Sequence, residues 1–128
     1  MKAVIFGVTG QDGSYLSEFL LEKGYEVVGV SRRASTDNTE RLKGVLDNPQ
    51  FMFMEGDVTD YISVSRIIND RQPDEVYNLA AQSHVQTSFN EPIHTWRTDA
   101  EGPLNILESV RRHAFQAKFY QASTSEMY

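Results

Sequence analysis

The chain has 128 residues, 40% of them hydrophobic, and a formal net charge of −6 from 18 acidic and 12 basic residues. This length suits one cored domain, so we expect residues 1–128 to form a single domain. Charges of both signs are scattered along the chain, which argues against binding to nucleic acid or to an anionic membrane surface. There is no cysteine, so the chain offers no disulfide or thiolate metal site, and we expect no metal.

The first residues contain no targeting signal. After Met1, the apolar run 3–6 is interrupted by Gly7 and Gly10, and it is far too short for a signal-peptide core or a membrane span. We therefore expect a cytoplasmic protein whose ligand is a small molecule.

Short apolar runs alternate with segments of helical periodicity along the whole chain. This rhythm predicts an α/β fold of the doubly wound, Rossmann type, in which helices cover both faces of a parallel sheet. Five strands in the order 3-2-1-4-5 are expected for this architecture. The predicted strands are 2–7, 26–30, 51–55, 75–79 and 118–122.

The intervening segments have helical spacing. In the first, Tyr15, Leu16, Phe19 and Leu20 recur at helical intervals, and Gly24 provides the stop. The predicted helices are 12–23, a short one over 38–46, one that ends near 71 with Thr59 or Asp60 as its cap, and 92–113. Because Gly102-Pro103 falls inside the last of these, a kink or break is expected near 100–103.

The segment Gly7-Val8-Thr9-Gly10-Gln11-Asp12-Gly13 directly follows the first predicted strand and opens the first predicted helix. Gly7 permits a tight turn, Gly10 lets the backbone approach a pyrophosphate, and Gly13 lets the helix pack closely on the sheet. An ordinary glycine-rich turn is the alternative. The strand, motif and helix in register favour a dinucleotide site.

A second signal lies at the end of the second strand. An NAD-preferring domain usually has an acidic residue here for the ribose hydroxyls, whereas this chain has Ser31-Arg32-Arg33. A guanidinium group suits a 2′-phosphate, so we predict NADP as the cofactor with Arg32 as its contact. A solvated basic pair on a surface loop is the alternative.

Three further features are the Gly-x-x-Gly-x-x-Gly spacing, Asp57-Val58 after the third strand and Asn78-Leu79-Ala80-Ala81 in the fourth. With these features the chain resembles the extended short-chain dehydrogenases/reductases over its whole length. In that family, the acidic residue that matches Asp57 contacts adenine. The resemblance implies these cofactor-binding residues: Gly7, Thr9, Gly10, Gln11, Asp12, Gly13, Arg32, Asp57, Val58, Leu79, Ala80, Ala81 and Ser83.

Three segments narrow the resemblance. The chain is similar to the GDP-mannose 4,6-dehydratase family in residues 7–24, 32–41 and 119–128, and also in Ser83-His84-Val85. This similarity implies a carbon–oxygen lyase of deoxysugar biosynthesis that converts GDP-mannose into GDP-4-keto-6-deoxymannose and water, with internal hydride transfer through NADP.

The same resemblance implies a subunit contact. In the family, an arginine-rich loop reaches the cofactor of a neighbouring subunit, and the matching positions here are Arg33, Ser35 and Asn38. A homotetramer that assembles through loop 33–41 is therefore expected. From the residues alone, a polar surface loop is the alternative.

Thr124 and Glu126 directly follow the fifth predicted strand, at the sheet edge where ligands of this architecture bind. By resemblance, Thr124 hydrogen-bonds the C4 oxygen of the hexose. Glu126 takes the C5 proton and then donates a proton to the departing C6 hydroxyl, with a pKa tuned to the working pH. An exposed carboxylate is the alternative for Glu126, but the Thr-Ser-Glu triplet distinguishes a dehydratase from related epimerases and reductases.

The family's Tyr-x-x-x-Lys motif does not occur in the 128 residues. Its later strands and its smaller substrate domain are not present either, so we expect little or no dehydratase activity from this polypeptide alone. The alternatives are another sugar-nucleotide 4,6-dehydratase, an epimerase, a reductase, or a non-catalytic NADP-binding module.

Overall fold

The structure, a computed structural model, describes residues 1–9, 11–32, 42–80 and 101–121, with the backbone alone at Gln11. Five strands alternate with four helices in these ranges. They are β1 (Lys2–Phe6), α1 (Gln11–Glu22), β2 (Glu26–Ser31), α2 (Lys43–Leu46), β3 (Phe51–Glu55), α3 (Tyr61–Arg71), β4 (Glu75–Asn78), α4 (Gly102–His113) and β5 (Lys118–Gln121).

The strands form one parallel sheet in the order β3-β2-β1-β4-β5, which confirms the predicted topology. The bounds of β3 match the prediction, while β1, β2 and β4 each end one residue away from the predicted position. β1 ends at Phe6 and β4 at Asn78, each one residue early, because the following residue already turns away; β2 continues to Ser31, which pairs with Glu55.

Each face of the sheet carries its own core layer, which is why β1 is a continuous apolar run. Val4 and Phe6 point to one face, whereas Ala3 and Ile5 point to the other, and all four are essentially fully buried. Helices α3 and α4 cover the first face through Val64, Ile67, Ile68, Ile106 and Val110. The second face is covered by α1 and α2 through Leu20 and Val45, with Leu42 beside them.

Helix α1 exists as predicted, from Gln11 to Glu22, but only part of its apolar spacing is buried. Tyr15 and Phe19 are 62% and 54% exposed, and the sheet is faced by Gly13, Ser17 and Leu20 instead. Small residues are needed here because the start of the helix lies directly against the turn after β1. The hydrophobic spacing therefore predicted the helix correctly, and one of the four spaced residues, Leu20, is buried on the sheet side.

Helix α3 is capped at both ends by side chains. Asp60, not Thr59, is the N-cap, and its Oδ1 accepts a hydrogen bond from the Ile62 amide at 3.1 Å. At the other end Gln72 has a left-handed backbone with φ 46°, and its Nε2 donates to the carbonyl oxygens of Asn69 and His113. The second of these bonds ties the end of α3 to the end of α4.

Helix α4 is described from Gly102, with Pro103 in its first turn, where a proline needs no hydrogen-bond partner four residues earlier. The expected helix from residue 92 and its kink lie largely outside the described residues. Gly102 is constrained by packing, because a Cβ there would lie 2.9 Å from Cγ2 of Val58. The start of α4 is thus pressed against the loop that follows β3.

None of the helices in the described ranges is long and apolar enough to cross a membrane. The longest, α1 and α4, have 12 residues each, compared with the roughly 20 that a membrane span requires.

At the amino end of β4, the buried carboxylate of Glu75 accepts hydrogen bonds from the hydroxyls of Tyr25 and Tyr77, at 3.1 and 2.8 Å. Burial and the Glu75 carboxylate raise the pKa of Tyr77 above its ordinary value. The ring of Tyr77 stacks on that of Tyr120, with centroids 4.8 Å apart. These contacts hold β4 against β5 on the face that carries α1.

One buried hydroxyl in α4 predicts a stabilising substitution. Ser109 is fully buried and its Oγ has no hydrogen-bond partner among the described residues, so Ser109→Ala should raise the free energy of unfolding by about 1 kcal/mol. Ser17 is also fully buried in a helix, but its Oγ donates to the carbonyl oxygen of Gly13 at 2.8 Å. In urea unfolding, Ser17→Ala should give no such gain, and a loss of stability in Ser109→Ala would contradict the account.

Candidate dinucleotide-binding site

Backbone hydrogen bonds join the carboxyl ends of four neighbouring strands, β3, β2, β1 and β4. The amides of Gly7 and Val8 both donate to the carbonyl of Val30, at 2.8 and 3.1 Å. On the other side of β1, the Leu79 amide donates to the carbonyl of Phe6 at 2.8 Å, and a further bond links the loop after β3 to the end of β2. The strand order reverses between β1 and β4, which is where open parallel sheets bind ligands.

The turn after β1 has room only for glycine at its key positions. Gly7 has φ 80°, and a Cβ there would lie 2.5 Å from the backbone nitrogen of Ala80. A Cβ at Gly13 would lie 2.4 Å from the carbonyl oxygen of Val8. Gly7 is therefore constrained by its own backbone angle and by the end of β4, and Gly13 by the preceding turn.

This geometry suits the pyrophosphate of a dinucleotide. Helix α1 begins at Gln11, immediately beyond the turn, so the amides of its first turn have no partner within the helix and its positive dipole end faces the sheet edge. The Asp12 side chain is exposed, and it is the backbone amide at this position that can contribute to an anion site. Gly10 lies outside the described residues.

The end of β2 lies beside the glycine turn. Ser31 is buried, and its Oγ is 3.4 Å from Oγ1 of Thr9, so the two hydroxyls link β2 to the turn. Arg32 follows directly and is exposed at the sheet edge. The structure therefore brings the predicted residues Thr9 and Arg32 to the same edge as the turn, with Ser31 as a contact that the sequence reasoning did not single out.

Asp57, after β3, is held in a fixed orientation. Its Oδ1 accepts hydrogen bonds from the amide and hydroxyl of Thr59, at 2.9 and 2.7 Å, and its own amide donates to the hydroxyl of Ser63. Its second oxygen, Oδ2, has no partner in the described part of the chain. A carboxylate oxygen at this edge can accept a hydrogen bond from a ligand, such as the amino group of an adenine.

The next residue, Val58, is fixed from α4. The side-chain amide of Asn105 donates to the carbonyl oxygen of Val58 at 2.8 Å, and the Val58 side chain is buried against Gly102. Asn105 was missed by the sequence reasoning, since nothing in helical periodicity marks an amide that reaches a loop 47 residues away.

Leu79 and Ala80 follow β4 at the same edge. The amide of Ala80 donates to Oδ1 of Asn78 at 3.1 Å, and Asn78 is fully buried. The sequence motif includes Asn78, but the sequence alone predicts no function for this residue.

The remaining predicted site residues are Ala81, Ser83, Thr124 and Glu126, and they lie outside the described residues, as does loop 33–41. The described part of β5 ends at Gln121, which pairs in register with Asn78. Gln121 therefore lies at the carboxyl edge of the sheet, beside the end of β4.

A parallel sheet in this order, with a glycine turn before a helix at the strand reversal, defines a dinucleotide-binding domain of the Rossmann type. A solved structure of UDP-glucose 4-epimerase from Thermus thermophilus in complex with NAD is similar, with 30% identity and a TM-score of 0.72. The match covers 88% of this chain and 34% of that one. The fold is thus the one that this NAD-bound epimerase has, and it is typical of dinucleotide-binding domains.

Sequence comparison narrows this class. The family model for GDP-mannose 4,6 dehydratase matches residues 4–128. The GDP-mannose 4,6-dehydratase of Vibrio cholerae is 54% identical over 99% of the chain, and that of Homo sapiens is 49% identical over 98%. The chain belongs to the GDP-mannose 4,6-dehydratase family. It spans 36% of the length of each of these two relatives.

Two helical glycines provide a test of the site geometry. Gly13→Ala places a Cβ against the carbonyl of Val8 and should lower the free energy of unfolding by about 2 kcal/mol and abolish dinucleotide binding. Gly44→Ala is the matched control in α2, where a Cβ meets nothing within 4 Å and should add about 0.5–1 kcal/mol. Both values can be measured by chemical denaturation, and an unchanged Gly13→Ala protein would contradict the close packing.

Proposed function

We propose that this chain is the NADP-binding part of a GDP-mannose 4,6-dehydratase, a carbon–oxygen lyase that forms GDP-4-keto-6-deoxymannose and water. The observation that carries the proposal is 54% identity to an enzyme of that name along almost the whole chain. The dinucleotide edge of the sheet supports it, since this reaction needs a nicotinamide cofactor beside the sugar.

The cofactor is NADP and not NAD because of the residue at the end of β2. Arg32 is exposed at the sheet edge and offers a guanidinium group to a 2′-phosphate. An acidic residue at the same position would repel that phosphate. The described residues that would hold the rest of the cofactor are the glycine turn for the pyrophosphate, Asp57 for the adenine, and Ala80 on the opposite side of β1. When bound, NADP supplies hydride acceptance from C4 and hydride return to C6.

Two residues of the chain serve the chemistry at C4, C5 and C6, whereas the C4 hydroxyl proton needs the base of the family's Tyr-x-x-x-Lys motif, which the 128 residues do not contain. Thr124 holds the C4 oxygen through its hydroxyl. Glu126 removes the C5 proton, which the C4 ketone makes acidic, and delivers a proton to the C6 hydroxyl so that it departs as water. The position of Gln121 supports this assignment, because the last described residue of β5 lies at the carboxyl edge, which carries the proposed cofactor residues as well.

Two further parts of the proposal concern assembly and location. We propose that Arg33, Ser35 and Asn38, which match the arginine-rich loop of the family, contact a neighbouring subunit's cofactor in a homotetramer, and that the enzyme is cytoplasmic. Size measurement of the purified protein with loop 33–41 intact and with it replaced by a short glycine linker tests the first of these.

Cofactor choice is tested by removing the guanidinium group. Arg32→Ala should weaken NADP binding by roughly tenfold to a hundredfold, through loss of a charge-assisted bond to phosphate, and change NAD binding little. Arg112→Ala on α4 removes the same charge from an exposed position and should leave both affinities unaltered. Isothermal titration with both nucleotides checks this, and an equal loss for NADP and NAD in Arg32→Ala would refute the 2′-phosphate assignment.

Catalysis is tested in two proteins. The 128-residue polypeptide should bind NADP and fail to turn over GDP-mannose, because it contains no Tyr-x-x-x-Lys. A chimera that continues from residue 128 into the remainder of the Vibrio cholerae relative should be active. In the chimera, Glu126→Gln should lower kcat by about a hundredfold to ten-thousandfold, as expected for loss of a general base.

The control in the chimera is Glu18→Gln, which removes a carboxylate from the exposed side of α1 and should retain full activity. Turnover by the 128-residue chain would show that the catalytic assignment is wrong, and so would a fully active Glu126→Gln chimera.

A further inference from the structure

A single buried side chain joins the carboxyl ends of β4 and β5. Asn78 is the last residue of β4 and is fully buried. Its Oδ1 accepts a hydrogen bond from the Ala80 amide at 3.1 Å, and its Nδ2 donates to Oε1 of Gln121 at 2.8 Å. Asn78 therefore connects the loop that follows β4 to the residue at which the described part of β5 ends.

An asparagine is an unusual choice at this position. Asn is depleted in strands, and its amide is costly to bury unless its polar atoms are paired. The preceding buried residue on the same strand, Val76, is apolar as expected for an inner strand. An apolar residue at position 78 would fill the same space without fixing either Ala80 or Gln121. The two hydrogen bonds are what this asparagine adds.

Asn78 lies at the carboxyl edge of the sheet, where the proposed cofactor site is, so its two hydrogen bonds can affect the geometry of that site. A Rossmann sheet binds the two halves of a dinucleotide on opposite sides of the strand reversal. Arg32 and Asp57 belong to the adenine side, at the ends of β2 and β3. Asn78 lies on the other side of β1, at the ends of the strands that serve the nicotinamide half.

We propose that Asn78 is a positioning residue for the nicotinamide half of the cofactor. Both polar atoms of its amide are occupied by protein groups, so it acts through the Ala80 amide and through the fixed end of β5. This inference rests on the proposed NADP site and adds to it a residue that sets the geometry of one half only.

The test compares two ligands in the 128-residue protein. NADP fills both halves of the site, whereas 2′,5′-ADP fills the adenine half alone. Asn78→Ala should weaken NADP about three- to tenfold, by loss of the bonds that fix Ala80 and Gln121. Binding of 2′,5′-ADP should stay within about twofold, because distant sites act independently.

A second variant covers the case in which Asn78→Ala does not fold. Gln121 is exposed, and Gln121→Met removes the acceptor for the Asn78 amide without opening the core. It should weaken NADP selectively, and Gln121→Glu, which keeps an acceptor oxygen, should restore the affinity.

An equal loss of affinity for both ligands, or no loss for NADP, would overturn the positioning role. Failure of the unaltered protein to bind NADP would instead overturn the proposed function, and the inference with it. The two failures are distinguishable, because the affinities of the variants test the positioning role and the NADP affinity of the unaltered chain tests the proposed function.

Discussion

The close approach of the turn after β1 to the end of β4 is the constraint on which the carboxyl edge of the sheet depends. Gly7 has a backbone angle that favours glycine, and Ala80 occupies the space into which any Cβ would project. The same turn lies against the start of α1 through Gly13. Because β1 is the central strand and is buried on both faces, this contact fixes the separation of the two halves of the site.

Side chains that link loops to strands then complete the edge. Asn105 holds the loop after β3 from α4, while Ser31 and Thr9 connect the end of β2 to the turn. These bonds are local in space but distant in sequence. They orient backbone groups before any ligand arrives, and Thr59 holds the carboxylate of Asp57, so the residues that would bind the cofactor are held in place by the fold.

Sequence patterns predicted the sheet well because its inner strands are buried on both faces and stand out as short apolar runs between polar segments. Strand β3 matched to the residue, since Phe51 to Glu55 is bounded by Pro49-Gln50 and Gly56. The pattern also predicted helix α1, within which Leu20 is buried whereas Tyr15 and Phe19 are exposed. Small residues lie against the turn there, as the contact of Gly13 with Val8 requires. Asn78 and Asn105 could not be assigned roles, because their partners lie 43 and 47 residues away and only the fold brings them together.

Mapping a bound nucleotide onto the backbone tests most directly whether the carboxyl edge of this sheet is the proposed NADP site. In amide-resolved NMR spectra of the isotopically labelled protein, added NADP should shift the signals of Gly7, Gly13, Arg32, Asp57 and Ala80. Amides at the amino edge, such as those of Gln72 and Asp74, should remain unchanged. Shifts confined to the amino edge, or none at saturating nucleotide, would contradict the account.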